Sequence, residues 1–220
     1  MRKEQKANYP ESARGAAALL VRMVLEDGAY TNIALNQYLR GSRLSDLDRR
    51  LATELAYGTV KASGTLDWYL AQCVSRPLDK VAGDILAILR ISTYQLLYMT
   101  RIPASAAVNE AVKLARSVSH EGSAKFVNGV LRGLLRKQEA GAFVLPDAEK
   151  QDADYLSLKY YHPRWLVKRW LGPWGRGGTE RLLAFDNTAA PVCLRANTLV
   201  TTRDKLLADL TEMGAQVRAS

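Results

Sequence analysis

The chain is poor in the residues that carry redox and metal chemistry: it has two cysteines and two histidines in 220 residues. Cys73 and Cys193 lie far apart with no Cys-x-x-Cys spacing, which excludes a zinc site built on them and a disulfide framework. Each cysteine reads as a small buried hydrophobe. His120 and His162 have no carboxylate or cysteine at ligand spacing, so no metal is expected. The first residues carry Arg2, Lys3, Glu4, Lys6 and Glu11 without an apolar run. They do not read as a signal peptide, and the cytoplasm is the expected location. Long apolar runs are missing too. The richest stretch, 81–99, is interrupted by Asp84 and Arg90, with Ser92, Thr93 and Gln95 beyond. A membrane span needs about 20 mostly apolar residues, so this stretch reads instead as the central helix of a soluble bundle, covered on nearly every side. There is no low-complexity tract, and no alternating strand pattern before residue 190.

What the chain does have is positive charge. It holds 31 Lys+Arg against 22 Asp+Glu, a net charge of +9. The excess is uneven, with 20 cations and 13 anions in residues 1–140 against 11 and 9 in 141–220. A polyanion is the natural partner of such a field, because neutralised phosphates release counterions. A basic excess that only aids solubility is the plainer alternative. An anionic membrane surface is disfavoured, since no Lys-rich amphipathic helix shows Trp or Phe on its opposite face.

The apolar pattern is helical. Ser12 is placed to cap a first helix carrying Ala13, Ala16, Ala17, Leu20 and Val24 at helical spacing, ended by Asp27–Gly28. A second helix is expected near 31–40. A third starts at Ser45 or Asp46 with Leu47, Leu51 and Leu55 on one face, its end blurred by Gly58 and Gly64; helical character resumes over 66–74. The central helix follows over about 80–100, then helices over 104–117 and 123–137. Residues 140–154 read as a linker. Residues 155–175 read as a helical pair broken at His162–Pro163, the glycines from Gly172 to Gly178 as a loop, and 179–186 as a short helix. A strand is expected over 191–199, a helix from Thr201 or Thr202 to Glu212, and a second extended segment at 216–218, which together would start a parallel unit. A two-stranded sheet is marginal alone, so the C-terminus reads as cut.

Six blocks carry a resemblance. The residues from Arg101 to Val112 (RIPASAAVNEAV) resemble the "RIPxHAAVNEAV" signature of the NusB-like domain that opens bacterial small-subunit ribosomal RNA cytosine-C5 methyltransferases. Residues 48–59 resemble that family's "DRRFxTELVYGT" stretch, Thr65–Leu66–Asp67–Trp68 follows at its spacing, and 126–132 resemble "FVNAVLR". Residues 160–170 are similar to the "SHPxWLVxRW" block beyond that domain, and 195–199 to "LRVNTLK", with Val200 where the family has lysine.

The resemblance implies a mainly α fold: a NusB-like all-α helical bundle over 1–140, a linker over 141–154, and an incomplete α/β accessory RNA-binding domain over 155–220. It implies the RNA-recognition region of an enzyme that uses S-adenosylmethionine, with small-subunit ribosomal RNA as partner. The family's catalytic domain and its cysteines lie beyond this region. No catalytic or cofactor-binding residue is therefore expected here, and the chain alone should bind RNA as a monomer without methylating it. A stand-alone NusB-type transcription antitermination factor, binding RNA and a ribosomal protein, is the alternative. Such factors end near the last bundle helix, so the blocks at 160–170 and 195–199 argue against it.

The expected RNA-binding residues fall in three groups. Arg2, Lys3, Lys6 and Arg14 form a basic arm and the start of the first helix, or merely a solvated end. Lys125, Arg132 and Arg136 share one stripe of the last bundle helix, with Lys137 beside it. That stripe is either a solvated face or one that meets RNA or a further domain. Arg195, Asn197 and Thr198 make the third group: Arg offers a donor fork for phosphate, and Asn197 shares its strand face. Alternatively, Asn197 and Thr198 only shape the strand's exit. Asn109, Glu110 and Asn128 are expected to cap or bridge helices. Trp165, Trp170 and Trp174 could stack bases, but their spacing among Leu and Val favours a core role.

Overall fold

The computed structural model describes residues 8–190 and 192–219. Arg2, Lys3 and Lys6 thus lie outside the described residues. The helices are α1 (Ala13–Leu25), α2 (Thr31–Gly41), α3 (Asp46–Ala71), α4 (Gly83–Tyr98), α5 (Ala104–Val118), α6 (Glu121–Glu139), α7 (Asp152–Tyr160), α8 (Arg164–Asp186) and α9 (Arg203–Glu212), with a 3₁₀ turn at Leu78–Lys80. No strand forms among the described residues. They divide into two compact units, one ending at Ala184 and one beginning at Phe185.

In the first unit the caps follow the sequence. Ser12 Oγ accepts from the Gly15 N–H at 3.1 Å and Ser45 Oγ from the Asp48 N–H at 3.2 Å. His120 caps α6, its Nδ1 accepting from the Ser123 N–H at 3.3 Å. These bonds satisfy donors that the first helical turn leaves free. The core is centred on α4, where Ile85, Leu86, Ala87, Ile88, Leu89 and Ile91 are all buried. Around them pack Ala17 and Val21 of α1, Leu55 and Leu70 of α3, Val108 and Leu114 of α5, and Val127 and Leu131 of α6.

The two charges that interrupt this apolar stretch are both paired. Asp84 accepts from the Tyr9 hydroxyl at 2.6 Å and lies 3.3 Å from Arg22 Nε. Burial, and then the bond to Asp84, push the Tyr9 hydroxyl's pKa above its ordinary value. Arg90, with 12% of its side chain exposed, donates to both carboxylate oxygens of Asp67 at 2.8 Å, tying α4 to α3. Removing one partner strands the other charge, so Asp67→Ala should destabilise the fold by about 2 kcal/mol. Urea unfolding measures this, and an unchanged midpoint would show that the pair contributes nothing.

Two expectations about α3 are corrected. The helix runs unbroken through Gly58 and Gly64. Gly58 is where the Tyr94 ring crosses: an added Cβ would stand 2.1 Å from Tyr94 Cζ, while the Tyr94 hydroxyl donates to Glu54 at 2.7 Å. The glycine thus permits close packing rather than ending the helix. Leu47 is 75% exposed although Leu55 is fully buried. Eight residues of α-helix drift by about 80°, enough to carry Leu47 off the core face.

The segment after α6 is anchored to the bundle. Phe143 packs edge-on against Tyr69 (ring centroids 4.7 Å apart) and near Trp68 at 6.1 Å. The Thr65 hydroxyl then donates to the Leu158 carbonyl of α7 at 3.0 Å. α7 ends at Tyr161, in the left-handed region at φ 61°, its ring edge-on to Tyr98 at 5.4 Å. Ala153, Leu156, Val167 and Leu183 form a small second core between α7 and α8. Glu180 fastens it, accepting from Lys159 at 3.0 Å and from the Tyr160 hydroxyl at 2.9 Å.

The glycine-rich stretch from Gly172 to Gly178 is not a loop. It lies within α8, which turns at Gly175 (φ 58°, ψ 178°), a backbone conformation open to glycine and costly for other residues. Trp170 packs partly buried in the second core, as expected, but Trp165 is 63% and Trp174 60% exposed. The packed face of α8 runs through Val167 and Leu183, and these two tryptophans point off it.

In the second unit, Thr202 caps α9, accepting from the Lys205 N–H at 3.2 Å. The strand expected over 191–199 does not form among the described residues, nor does an extended partner near 216–218. An isolated strand has no ladder to satisfy its backbone groups. Val192, Leu194 and Leu199 are exposed, so no sheet face buries them. Pro191 itself lies outside the described residues.

Candidate nucleic-acid interface

The outward face of α6 is set by what the inward face buries. Ala124, Val127, Val130, Leu131 and Leu134 face the core, which turns Lys125, Arg132 and Arg136 to solvent. The sequence places all three on one stripe, and the structure brings them together there. Arg132 Nε donates to Asn128 Oδ1 at 3.0 Å, one turn earlier, which steadies the guanidinium, and its terminal nitrogens bond no described residue. Lys125 and Arg136 make no ion pair with any described residue. Lys137 is diverted, donating to the Gln72 carbonyl at 2.5 Å. Glu121, at the start of the helix, pairs with Arg116 at 2.6 Å. Its carboxyl is held below the usual range by that bond, with a smaller contribution from Lys125.

Beside this stripe lies a groove of about 450 Å³ between α5 and α6. Arg132, Leu135, Arg136 and Glu139 line one wall; Ser105, Val108 and Asn109 line the other. Sequence reading placed the arginines but missed Ser105, Asn109 and Glu139 as their neighbours. The available signal was the spacing of Ser105 and Asn109, one turn apart within the 101–112 signature. Asn109 and Asn128 do not bridge helices as expected. Asn109 is exposed in the groove, Asn128 bonds Arg132 on its own helix, and Glu110 bonds Lys113 at 2.8 Å.

Arg14 is half-buried on α1, its Nε donating at 2.9 Å to Gln95 Oε1, a side chain 1% exposed. It also helps to lower the pKa of the α5 carboxyl of Glu110, behind the larger effect of Lys113. In the second unit Arg195, Asn197 and Thr198 are exposed. Asn197 Oδ1 accepts from the Leu199 N–H at 3.1 Å and its carbonyl from the Val200 N–H at 2.9 Å. Asn197 therefore shapes a turn, while Arg195 makes no ion pair with a described residue.

The cysteines differ in setting. Cys73 is half-buried, its thiol pKa raised by burial, whereas Cys193 is exposed, contrary to expectation. Iodoacetamide at neutral pH should modify Cys193 at least about tenfold faster than Cys73; equal rates, read by mass spectrometry, would contradict these settings. No group of three or more His, Cys, Asp or Glu side chains able to hold a metal exists among the described residues. None of the described helices is long and apolar enough to cross a membrane. No strand–glycine loop–helix unit is present among the described residues to cradle S-adenosylmethionine. The described side chains do not fit that cofactor, and no methyl-transfer step is assigned to them.

The described residues thus form an α-helical bundle centred on α4, with a cationic outer helix. The chain belongs to the NusB family, whose sequence profile matches residues 11–136. A second profile, "Methyltr_RsmF/B-like, ferredoxin-like domain", matches residues 162–220. The chain is 38% identical over 208 residues to a probable ribosomal RNA small subunit methyltransferase B of Synechocystis, covering 94% of this chain and 46% of that protein. It therefore spans about half the length of this curated relative. Among solved structures, PH0851 matches with a TM-score of 0.63 at 21% identity, over 98% of this chain and 47% of that one. A chain from a structure of antitermination factors NusB and NusE in complex with dsRNA matches with a TM-score of 0.53 at 20% identity, over 57% of this chain and 95% of that one.

Proposed function

We propose that this chain is the RNA-binding region of a cytoplasmic, S-adenosylmethionine-dependent methyltransferase acting on cytosine C5 of small-subunit ribosomal RNA. It binds as a monomer, and the transfer chemistry resides in sequence outside these residues. The domain arrangement is a NusB-like domain over 1–140, a connecting segment over 141–154 and an accessory RNA-binding domain over 155–220. The observation that carries this reading is the similarity to a named ribosomal RNA methyltransferase across 94% of the chain. Lys125, Arg132 and Arg136 of α6, exposed and in no ion pair with a described residue, support the RNA contact. The profile match at 162–220 favours the methyltransferase over a stand-alone antitermination factor. On this reading RNA meets Lys125, Arg132 and Arg136, with Arg14, Arg195, Asn197 and Thr198 as further contacts and Arg2, Lys3 and Lys6 as a basic arm.

Binding to a small-subunit ribosomal RNA hairpin, measured across a salt series against a scrambled hairpin, tests it. Affinity should fall steeply with salt and favour the ribosomal sequence; weak, salt-insensitive binding to both would refute the reading. Arg195→Ala should weaken binding about fivefold and reduce the salt slope by about 0.7, the value of one single-strand phosphate contact. An unchanged slope would remove Arg195 from the interface.

A further inference from the structure

The groove between α5 and α6 is more than a basic strip, because its two walls differ in chemistry. Its lining includes the apolar side chains of Val108 and Leu135. Arg132 and Arg136 stand on the α6 wall, with the Ser105 hydroxyl and the Asn109 amide opposite. At the end of the α6 wall is Glu139, exposed and in no ion pair with a described residue. Helix energetics do not account for that carboxylate. Glu139 is the last residue of α6, where the helix dipole disfavours negative charge. Arg136 lies one turn earlier, yet no ion pair joins them. A carboxylate in no ion pair with a described residue thus stands near two exposed guanidinium groups, over the half-buried Leu135 and the edge of the largely buried Val108.

Phosphate alone would use the arginines and be repelled by Glu139. A nucleotide uses everything: an apolar surface for the ring, cations for the flanking phosphates, and an acceptor for a ring amino group. Carboxylates read the exocyclic amino group of cytosine, and asparagine reads adenine through N6 and N7. Sequence-specific RNA recognition targets unpaired bases that can be splayed from their neighbours. The volume, about 450 Å³, falls within the range of small-ligand sites.

We propose that this groove receives one unpaired nucleobase bearing an exocyclic amino group, with Glu139 accepting from that group, Asn109 contacting the base edge, and Arg132 and Arg136 holding its phosphates. The inference rests on the RNA-binding reading and adds base selection to it.

The test is binding of the full chain to eight-nucleotide oligo(C), oligo(A) and oligo(U) RNA, since uracil alone of these bases lacks the amino group. The wild-type chain should prefer oligo(C) or oligo(A) to oligo(U) by about fivefold or more. Glu139→Ala should reduce that preference below about twofold while leaving oligo(U) binding equal or tighter. Glu121→Ala, which removes a carboxylate of α6 outside the groove, should shift all three affinities together and keep the preference. Salt-dependent binding of all three RNAs with no preference, or a preference that survives Glu139→Ala, would overturn base selection and leave the RNA-binding reading standing. Absence of salt-dependent binding to any of them would overturn both.

Discussion

Replacing Arg132 and Arg136 together by glutamate is expected to lower RNA affinity roughly a hundredfold at low salt. Each phosphate contact on single-stranded RNA contributes about 0.7 to the salt slope, so losing two should flatten it by about 1.4. Charge reversal adds repulsion on top of that loss. The fold should be unaffected, because both side chains are exposed and neither makes an ion pair among the described residues. A control with the same change in net charge isolates position from charge. Lys80 and Lys150 are exposed and lie 3.8 Å and 4.0 Å from Asp79 and Asp147. Changing both lysines to glutamate should alter affinity by less than about threefold. Equal losses in the two double variants would mean that the bound RNA senses net charge and not the α6 stripe.

The largest expected effect on stability lies at Ile88. Its side chain is fully buried in the middle of α4, among residues of α1, α3, α5 and α6. Truncation to alanine removes three methyl or methylene groups and leaves a cavity with helices on every side. A loss of about 3 to 4 kcal/mol is expected, corresponding to a drop of about 10 °C in Tm for a chain of this size. Calorimetry measures it, and a drop under about 2 °C would place Ile88 outside the core.

Much of this architecture is legible in the sequence because the bundle obeys local rules. Ser12 and Ser45 announce helix starts through their own hydroxyls, and Lys125, Arg132 and Arg136 fall on one stripe through the helical period alone. The central helix is recognisable for the same reason, since an apolar stretch holding only Asp84 and Arg90 is cheap to bury once both charges are paired. What was misread depends on contacts remote in sequence. Gly58 looks like a helix breaker until Tyr94, 36 residues on, is seen lying across it. Phe143 sits in a stretch without apolar period, and only its packing on Tyr69 shows that the stretch is anchored. The glycines from Gly172 to Gly178 suggest a loop, yet one residue, Gly175, takes up the whole change of direction. Trp165 and Trp174 share helical spacing with buried residues but lie outside the stripe that packs.

The candidate site was half legible for a similar reason. Its arginines lie on one helix and follow from one period. The groove needs a second helix, and which α5 residues face α6 is set by the burial of Val108, Ala111 and Ala115 against the core. Glu139 was passed over because an acidic residue at a helix end is usually unremarked surface; its lack of an ion pair is visible only in three dimensions.

Ultraviolet cross-linking of this chain to small-subunit ribosomal RNA, with the attached peptides identified by mass spectrometry, tests the RNA contact at α5 and α6 most directly. Cross-links are expected on peptides spanning 104–113 and 125–139, and should be lost when Arg132 and Arg136 are replaced by glutamate. Cross-links that avoid both helices, or that persist unchanged in that variant, would contradict that contact.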